Sequence, residues 1–166
     1  MNMRNKRVTY LVQGAMIAAL YVVLTWLANA LGLASGAIQI RFSEALTILP
    51  WFTAAAVPGL FIGCLISNVL TGAVIWDILF GSAATLLGAI GTRLLRKQTH
   101  WLAPIPPILA NVAIVPIVLK IAYGLEDAWT YLAVTVGIGE IISCGVLGML
   151  LFFTLKKHAR RIFQTN

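Results

Sequence analysis

The sequence predicts an all-α integral membrane protein, a bundle of six transmembrane helices with both termini on the cytoplasmic side. Three observations carry that prediction. Of the 166 residues, 60% are hydrophobic and only 10% charged, too few polar side chains to coat a water-soluble globule. Apolar runs of about twenty residues recur, the length of helix that crosses a hydrocarbon core about 30 Å thick. Ten of the twelve basic residues fall in three clusters: Arg4, Lys6 and Arg7 before the first run, Arg93, Arg96 and Lys97 after the fourth, and Lys156, Lys157, Arg160 and Arg161 at the end. Clusters of this kind flank spans on the cytoplasmic side. The net charge of +7 therefore does not indicate nucleic acid, whose partners interleave basic and aromatic side chains on one soluble face.

Taken in order, the spans read as residues 8–31, 42–52, 56–71, 75–95, 101–122 and 128–155, one transmembrane domain over residues 1–166. The first carries two overlapping pairs of small residues, Gly14 with Ala18 and Ala15 with Ala19, a spacing that lets a second helix approach closely in lipid. The pairs fit either an internal packing face or a partner. Ala28-Asn29-Ala30 resembles a signal cleavage site, but the run before it is longer than a signal core and carries Gln13 and Gly14. Residues 32–40 form a loop rich in glycine, serine and alanine. Pro50 and Pro58-Gly59 interrupt the next apolar stretch, dividing it into two short spans, because proline removes a backbone donor and clashes with the preceding turn. The first of these is short for a full crossing and is expected to tilt or to lie partly in the interface.

The fourth span places Asp77, Gly81, Thr85, Gly88 and Thr92 at helical spacing, a small and polar stripe suited to the bundle interior. Pro104, Pro106, Pro107 and Pro116 make the fifth span kinked or irregular at its start. Asn111 lies near its centre, and Lys120 can snorkel from its far end. The last span carries Ala133, Gly137, Glu140, Cys144 and Gly148 on one face. With the basic clusters inside, the Arg41 loop, the turn at Gly72 and the acidic Glu126-Asp127 loop face outward.

The chemistry-bearing residues are few. In Ile38 to Trp51, Arg41, Ser43 and Glu44 sit at the mouth of an apolar segment. Such charges are costly at a membrane edge unless they pair or meet a polar ligand. An Arg41–Glu44 pair and a ligand contact both remain open. Glu140 lies twelve residues into the last span, roughly 18 Å of helical rise from its outer end, near the bilayer middle. It either ties helices together or accepts hydrogen bonds from a neutral, donor-rich solute, since a carboxylate takes two parallel N–H bonds from a guanidinium or a guanine-like edge. Asp77 suits a second polar or cationic group. Trp51, Trp76, Trp101 and Trp129 fit an interfacial aromatic belt, although Trp76 and Trp129 could also stack on a planar ring. Cys64 and Cys144 lie inside apolar runs and support neither a disulfide framework nor a metal site. No zinc-protease, Gly-x-Ser-x-Gly or phosphate-loop signature is present, so the chain is expected not to be an enzyme and to need no cofactor.

The run Gln39-Ile-Arg-Phe-Ser-Glu-Ala-Leu-Thr-Ile-Leu-Pro, with Pro58-Gly-Leu-Phe-Ile-Gly-Cys-Leu-Ile-Ser-Asn68, Trp76-Asp77, Phe80-Gly-Ser and Gly137-Ile-Gly-Glu140, resembles the QueT family. Ala54 departs from it, standing where a proline is expected in a Phe-Thr-Pro-Ala-like turn. The resemblance implies a multi-pass protein of a prokaryotic cell membrane: a six-helix substrate-binding S component of an energy-coupling factor (ECF) transporter. It implies a queuosine precursor as solute, namely 7-cyano- or 7-aminomethyl-7-deazaguanine or queuine. The implied partners are a coupling transmembrane subunit, met through a small-residue surface such as Ala15 and Ala19, and two cytoplasmic ATPases. Arg41, Glu44, Asn68, Trp76, Asp77, Asn111, Trp129 and Glu140 are the candidate substrate-binding residues. Other readings are an S component for another vitamin-like solute, a stand-alone proton-coupled carrier, and a non-transporting scaffold.

Overall fold

The computed structural model describes residues 3–34, 38–124 and 126–163, apart from the side chains of residues 3, 4, 123, 160 and 161; the 32–40 loop thus lies partly outside the described residues. Among the described residues every regular element is helical. They run α1 (Met3–Ala30), a 3₁₀ segment (Phe42–Trp51), α2 (Ala56–Leu70), α3 (Ile75–Leu95), a 3₁₀ turn (His100–Leu102) and α4 (Ile105–Tyr123). Then follow α5 (Trp129–Glu140), a π segment (Ile141–Leu147), α6 (Gly148–Lys156) and α7 (Ala159–Phe163). Among the described residues four helical stretches are long and apolar enough to cross a membrane: Asn5–Ala30, Ile75–Leu95, His100–Ala122 and Trp129–Lys156. The shorter apolar helix Ala56–Leu70 adds to these.

Close helix approach follows from small residues, as lipid supplies no hydrophobic force between helices. Along α2, a Cβ on Gly59 would lie 2.7 Å from the Gly14 carbonyl oxygen, and one on Gly63 would lie 2.8 Å from Tyr21 Cβ and 3.0 Å from Ala18 Cα. Gly14 and Ala18 are therefore engaged inside the chain, whereas Ala15 and Ala19 are exposed. Between α3 and α4, Gly88 and Gly91 seat against Pro107 and Pro106 in the same way. Pro106 and Pro107 occupy the first turn of α4, where the missing N–H costs nothing. The irregular start predicted for this span is the 3₁₀ turn before it.

The element that departs most from expectation is Phe42–Trp51. It is a 3₁₀ helix and not an α-helix, with Ser43 through Pro50 all buried, and it packs against α1, α2, α3, the π segment and α6. At about 2.0 Å per residue a ten-residue 3₁₀ helix covers about 20 Å. Tightening the coil lengthens it, so ten residues thread deep into the bundle. Arg93 secures the far end by donating from Nη1 to the Pro50 carbonyl at 3.0 Å. Its guanidinium thus serves the core as well as the basic flank. The apolar core gathers Ile48, Leu49, Tyr21, Leu60 and Phe152 around this segment.

Candidate functional site

The predicted interior stripe of α3 is realised, with Gly81, Thr85, Gly88 and Thr92 buried. Its outermost member, Asp77, lines a cavity of about 360 Å³ together with Thr25, Asn29, Gln39, Arg41 and Asn68. Asn68 donates from Nδ2 to the Asp77 carbonyl at 3.4 Å, tying α2 to the start of α3. A second, inner pocket of about 30 Å³ is lined by Glu140 with Gln39, Arg41, Val115, Leu119 and Val136. Gln39, Arg41, Val115 and Leu119 border both spaces, so the outer cavity and the pocket at Glu140 are neighbours across these four residues.

The backbone just before the 3₁₀ segment is strapped onto the last span. Gly139 makes this possible: a Cβ there would collide with the Gln39 carbonyl oxygen. One turn further on, the Ser143 hydroxyl accepts from the Arg41 N–H at 3.1 Å. The Arg41 side chain donates from Nη2 to Gln39 Oε1 at 3.4 Å. Burial disfavours its charge, but attraction from Asp77 and Glu44 outweighs burial and holds the pKa above its ordinary value. The guanidinium therefore stays cationic.

The larger surprise is Glu44. Instead of standing at a mouth it is 2% exposed, because the 3₁₀ segment carries it inward. Its Oε1 accepts the Tyr21 hydroxyl of α1, and among the described residues it makes no ion pair with Arg41. Its Oε2 is buried with no hydrogen-bond partner. The neighbouring Ser43 hydroxyl meets Thr25 Oγ1 at 2.8 Å. Glu140, 9% exposed, is the last residue of α5, and its Oε2 accepts the Cys144 thiol at 3.1 Å. Carboxylate oxygens of Glu44 and Glu140 and the Cys144 sulfur all lie within 4.8 Å of one another. Asn111, 4% exposed, brings its amide within reach of both carboxyl groups.

Two carboxyl groups thus meet in an apolar interior, one from the 3₁₀ segment and one from the α5–π junction. A π segment widens the backbone ring, and such segments recur at functional sites; here it begins directly after Glu140. Spacing alone would let Glu44, Glu140 and Cys144 hold a metal ion, a grouping hidden in the sequence because Glu44 lies far along the chain from the other two.

Of the eight candidate residues, Arg41, Asn68 and Asp77 converge on the outer cavity and Arg41 and Glu140 on the inner pocket. Glu44 and Asn111 line neither space but lie beside Glu140. Trp76 and Trp129 are 50% and 47% exposed and line neither space; Trp76 stacks on Phe80 at 6.0 Å. Tyr21, Gln39, Ser143 and Cys144 belong to the site without having been singled out as binding residues. Tyr21 had a weak signal, a hydroxyl one turn before that of Thr25 on a largely apolar helix. Gln39 had none beyond its nearness to Arg41.

Compared with known proteins, the chain matches the family described as QueT transporter over residues 11–157. It is also 26% identical over 151 residues to a protein of Lactococcus lactis subsp. cremoris (strain MG1363) described as "Queuosine precursor transporter QueT", an alignment covering 85% of this chain and 89% of that one. No solved structure matches it.

Proposed function

The chain belongs to the QueT transporter family, and on that premise we propose that it is the substrate-binding S component of an energy-coupling factor importer for a queuosine precursor. It is a multi-pass membrane protein of a transporter family, not an enzyme. The solute class rests on what the Lactococcus relative is described as carrying. It is a 7-deazaguanine: the 7-cyano or 7-aminomethyl compound, or queuine.

The observation that carries the reading is Glu140, a buried carboxyl group that lines a small pocket beside Arg41 and Gln39. The guanine-like edge of a deazaguanine presents adjacent N–H donors, and a carboxylate accepts two in parallel. In water that edge is already hydrogen-bonded, so an interior acceptor is needed to offset its desolvation. Arg41 faces the ring carbonyl, and Asp77, Asn68 and Gln39 hold the substituent in the outer cavity. The two Trp residues remain at the lipid boundary.

In this reading the chain crosses the membrane six times with both ends cytoplasmic, the 3₁₀ segment and α2 serving as the two short crossings. Ala15 and Ala19, exposed on α1, meet the coupling subunit. Energy comes from two partner ATPases, as this sequence has no phosphate loop.

The test is direct binding to the purified, detergent-solubilised chain, using 7-cyano- and 7-aminomethyl-7-deazaguanine, queuine, guanine and several B vitamins. Saturable binding of a deazaguanine is expected, lost on Glu140→Gln and retained on Glu126→Gln in the exposed outer loop. Equal effects of the two substitutions would remove Glu140 from the site. A vitamin binding in place of the deazaguanines would discard the solute.

A further inference from the structure

We propose that Glu44 is a second solute-binding carboxyl group, which accepts the outer N–H of a ring 2-amino group and so makes the site selective for 2-amino-4-oxopyrimidine rings. The inference rests on the deazaguanine reading above and sharpens it.

Glu44 Oε2 is a fully enclosed acceptor without a partner, and an unsatisfied buried polar atom is expensive. The other oxygen is already used by Tyr21, which fixes the carboxyl plane. Glu44 and Glu140 have oxygens within 4.8 Å of each other, and one exocyclic amino group carries two N–H bonds that point apart. One of these, with the ring N–H, satisfies Glu140; the other reaches Glu44. A single amino nitrogen then bridges two carboxyl groups that otherwise repel.

A metal ion would bridge them too, but Arg41 already places a cation within electrostatic reach of Glu44 and Glu140. Neutral N–H donors meet no such repulsion. The inner pocket, about 30 Å³, is smaller than a bicyclic ring, so the ring enters by shifting the Arg41 and Gln39 side chains toward the outer cavity. Asn111, within reach of both carboxyl groups, turns its amide aside as the solute enters.

Substitution at Glu44 has a distinctive signature. In Glu44→Gln the Tyr21 hydroxyl can keep its acceptor, which turns the new amide N–H₂ toward the solute's amino group, donor against donor. A solute lacking that amino group meets no such conflict. The experiment measures binding of 7-cyano-7-deazaguanine and its analogue without the 2-amino group to the full-length, detergent-solubilised protein.

The 2-amino group gives one N–H to each carboxyl group, so the wild-type chain is expected to prefer the amino compound by a hundredfold or more, each hydrogen bond to a charged group being worth roughly ten- to a hundredfold. Glu44→Gln should reduce that preference at least tenfold by weakening the amino compound alone, leaving the share that belongs to Glu140. Tyr21→Phe keeps the carboxyl group but frees its plane, and should lower the preference in part; it takes over as the deciding variant if Glu44→Gln does not fold. A preference that stays at its wild-type size in the folded variants, or equal weakening of both compounds, overturns the assignment of Glu44 and leaves the deazaguanine reading standing. Equal wild-type affinities overturn Glu44 and the paired N–H contact at Glu140 alike. Wild-type binding of neither compound overturns the deazaguanine reading, and this one with it.

Discussion

Gly139 contributes no side chain, yet its missing Cβ decides how close the strap before the 3₁₀ segment comes to the last span. The Gln39 carbonyl oxygen occupies the space that a methyl group would need. Gly139→Ala must push that backbone away and with it the Arg41 N–H that donates to Ser143 at 3.1 Å. Overpacking of this kind costs about 1–3 kcal/mol. Thermal unfolding in detergent should show that loss, and deazaguanine affinity should fall at least tenfold because Arg41 and Gln39 border the pocket at Glu140. Unchanged affinity in the folded variant would show that the strap does not position the site. At this scale the sequence was legible in part. A lone carboxylate in the middle of an apolar span is expensive enough to stand out, so Glu140 was visible. The Tyr21–Glu44 contact was not, since it joins residues of two elements whose register depends on the bundle. Glu44 looked like a boundary residue only because charge next to an apolar run usually marks one.

Helix spans are readable from hydropathy because their length must match the bilayer, and the small-residue periodicity of α1 correctly marked a close-packing face. Spacing could not say that the face is shared, with Gly14 and Ala18 turned to α2 and Ala15 and Ala19 left outside. The hydrogen-bond period of a segment is invisible to hydropathy. The 3₁₀ course of Phe42–Trp51 and the π course of Ile141–Leu147 therefore could not be read, although together they bring Glu44, Glu140 and Cys144 together. The α1–α2 contact yields a test at this scale. Gly63→Leu would drive a branched side chain into Ala18 and Tyr21, and Tyr21 also holds Glu44. The variant should unfold at lower temperature than the parent by several degrees and bind solute more weakly, whereas Ile66→Leu on the exposed side of the same helix should do neither. Equal thermal stability of Gly63→Leu and the parent would show that α1 and α2 part without cost.

For the molecule as a whole, the open question is what supplies the work of uptake. The described cavities lie toward one end of the bundle, lined by the α2–α3 turn and the strap. The other end carries the aromatic cluster of Trp51, Phe52, Phe152 and His100 beside the basic flanks. In the importer proposed above, the bundle holds the solute and movement depends on a partner that grips the outside of α1. Ala15 and Ala19 offer that grip, since small exposed residues allow backbone contact in lipid where no hydrophobic force acts. Substituting both by leucine should leave the purified chain's melting temperature and solute affinity within error, because neither side chain touches the site or the α2 contact. In cells that also make the coupling subunit and both ATPases, the same double substitution should lower deazaguanine uptake at least tenfold. Reconstituted alone in vesicles, the parent chain should bind the solute but not accumulate it, with or without a proton gradient. Accumulation driven by that gradient, and indifferent to the two leucines, would instead make the chain a self-sufficient carrier, with the Glu44–Glu140 pair as its proton site. Failed uptake in cells with intact binding in detergent would locate the defect in the grip on α1.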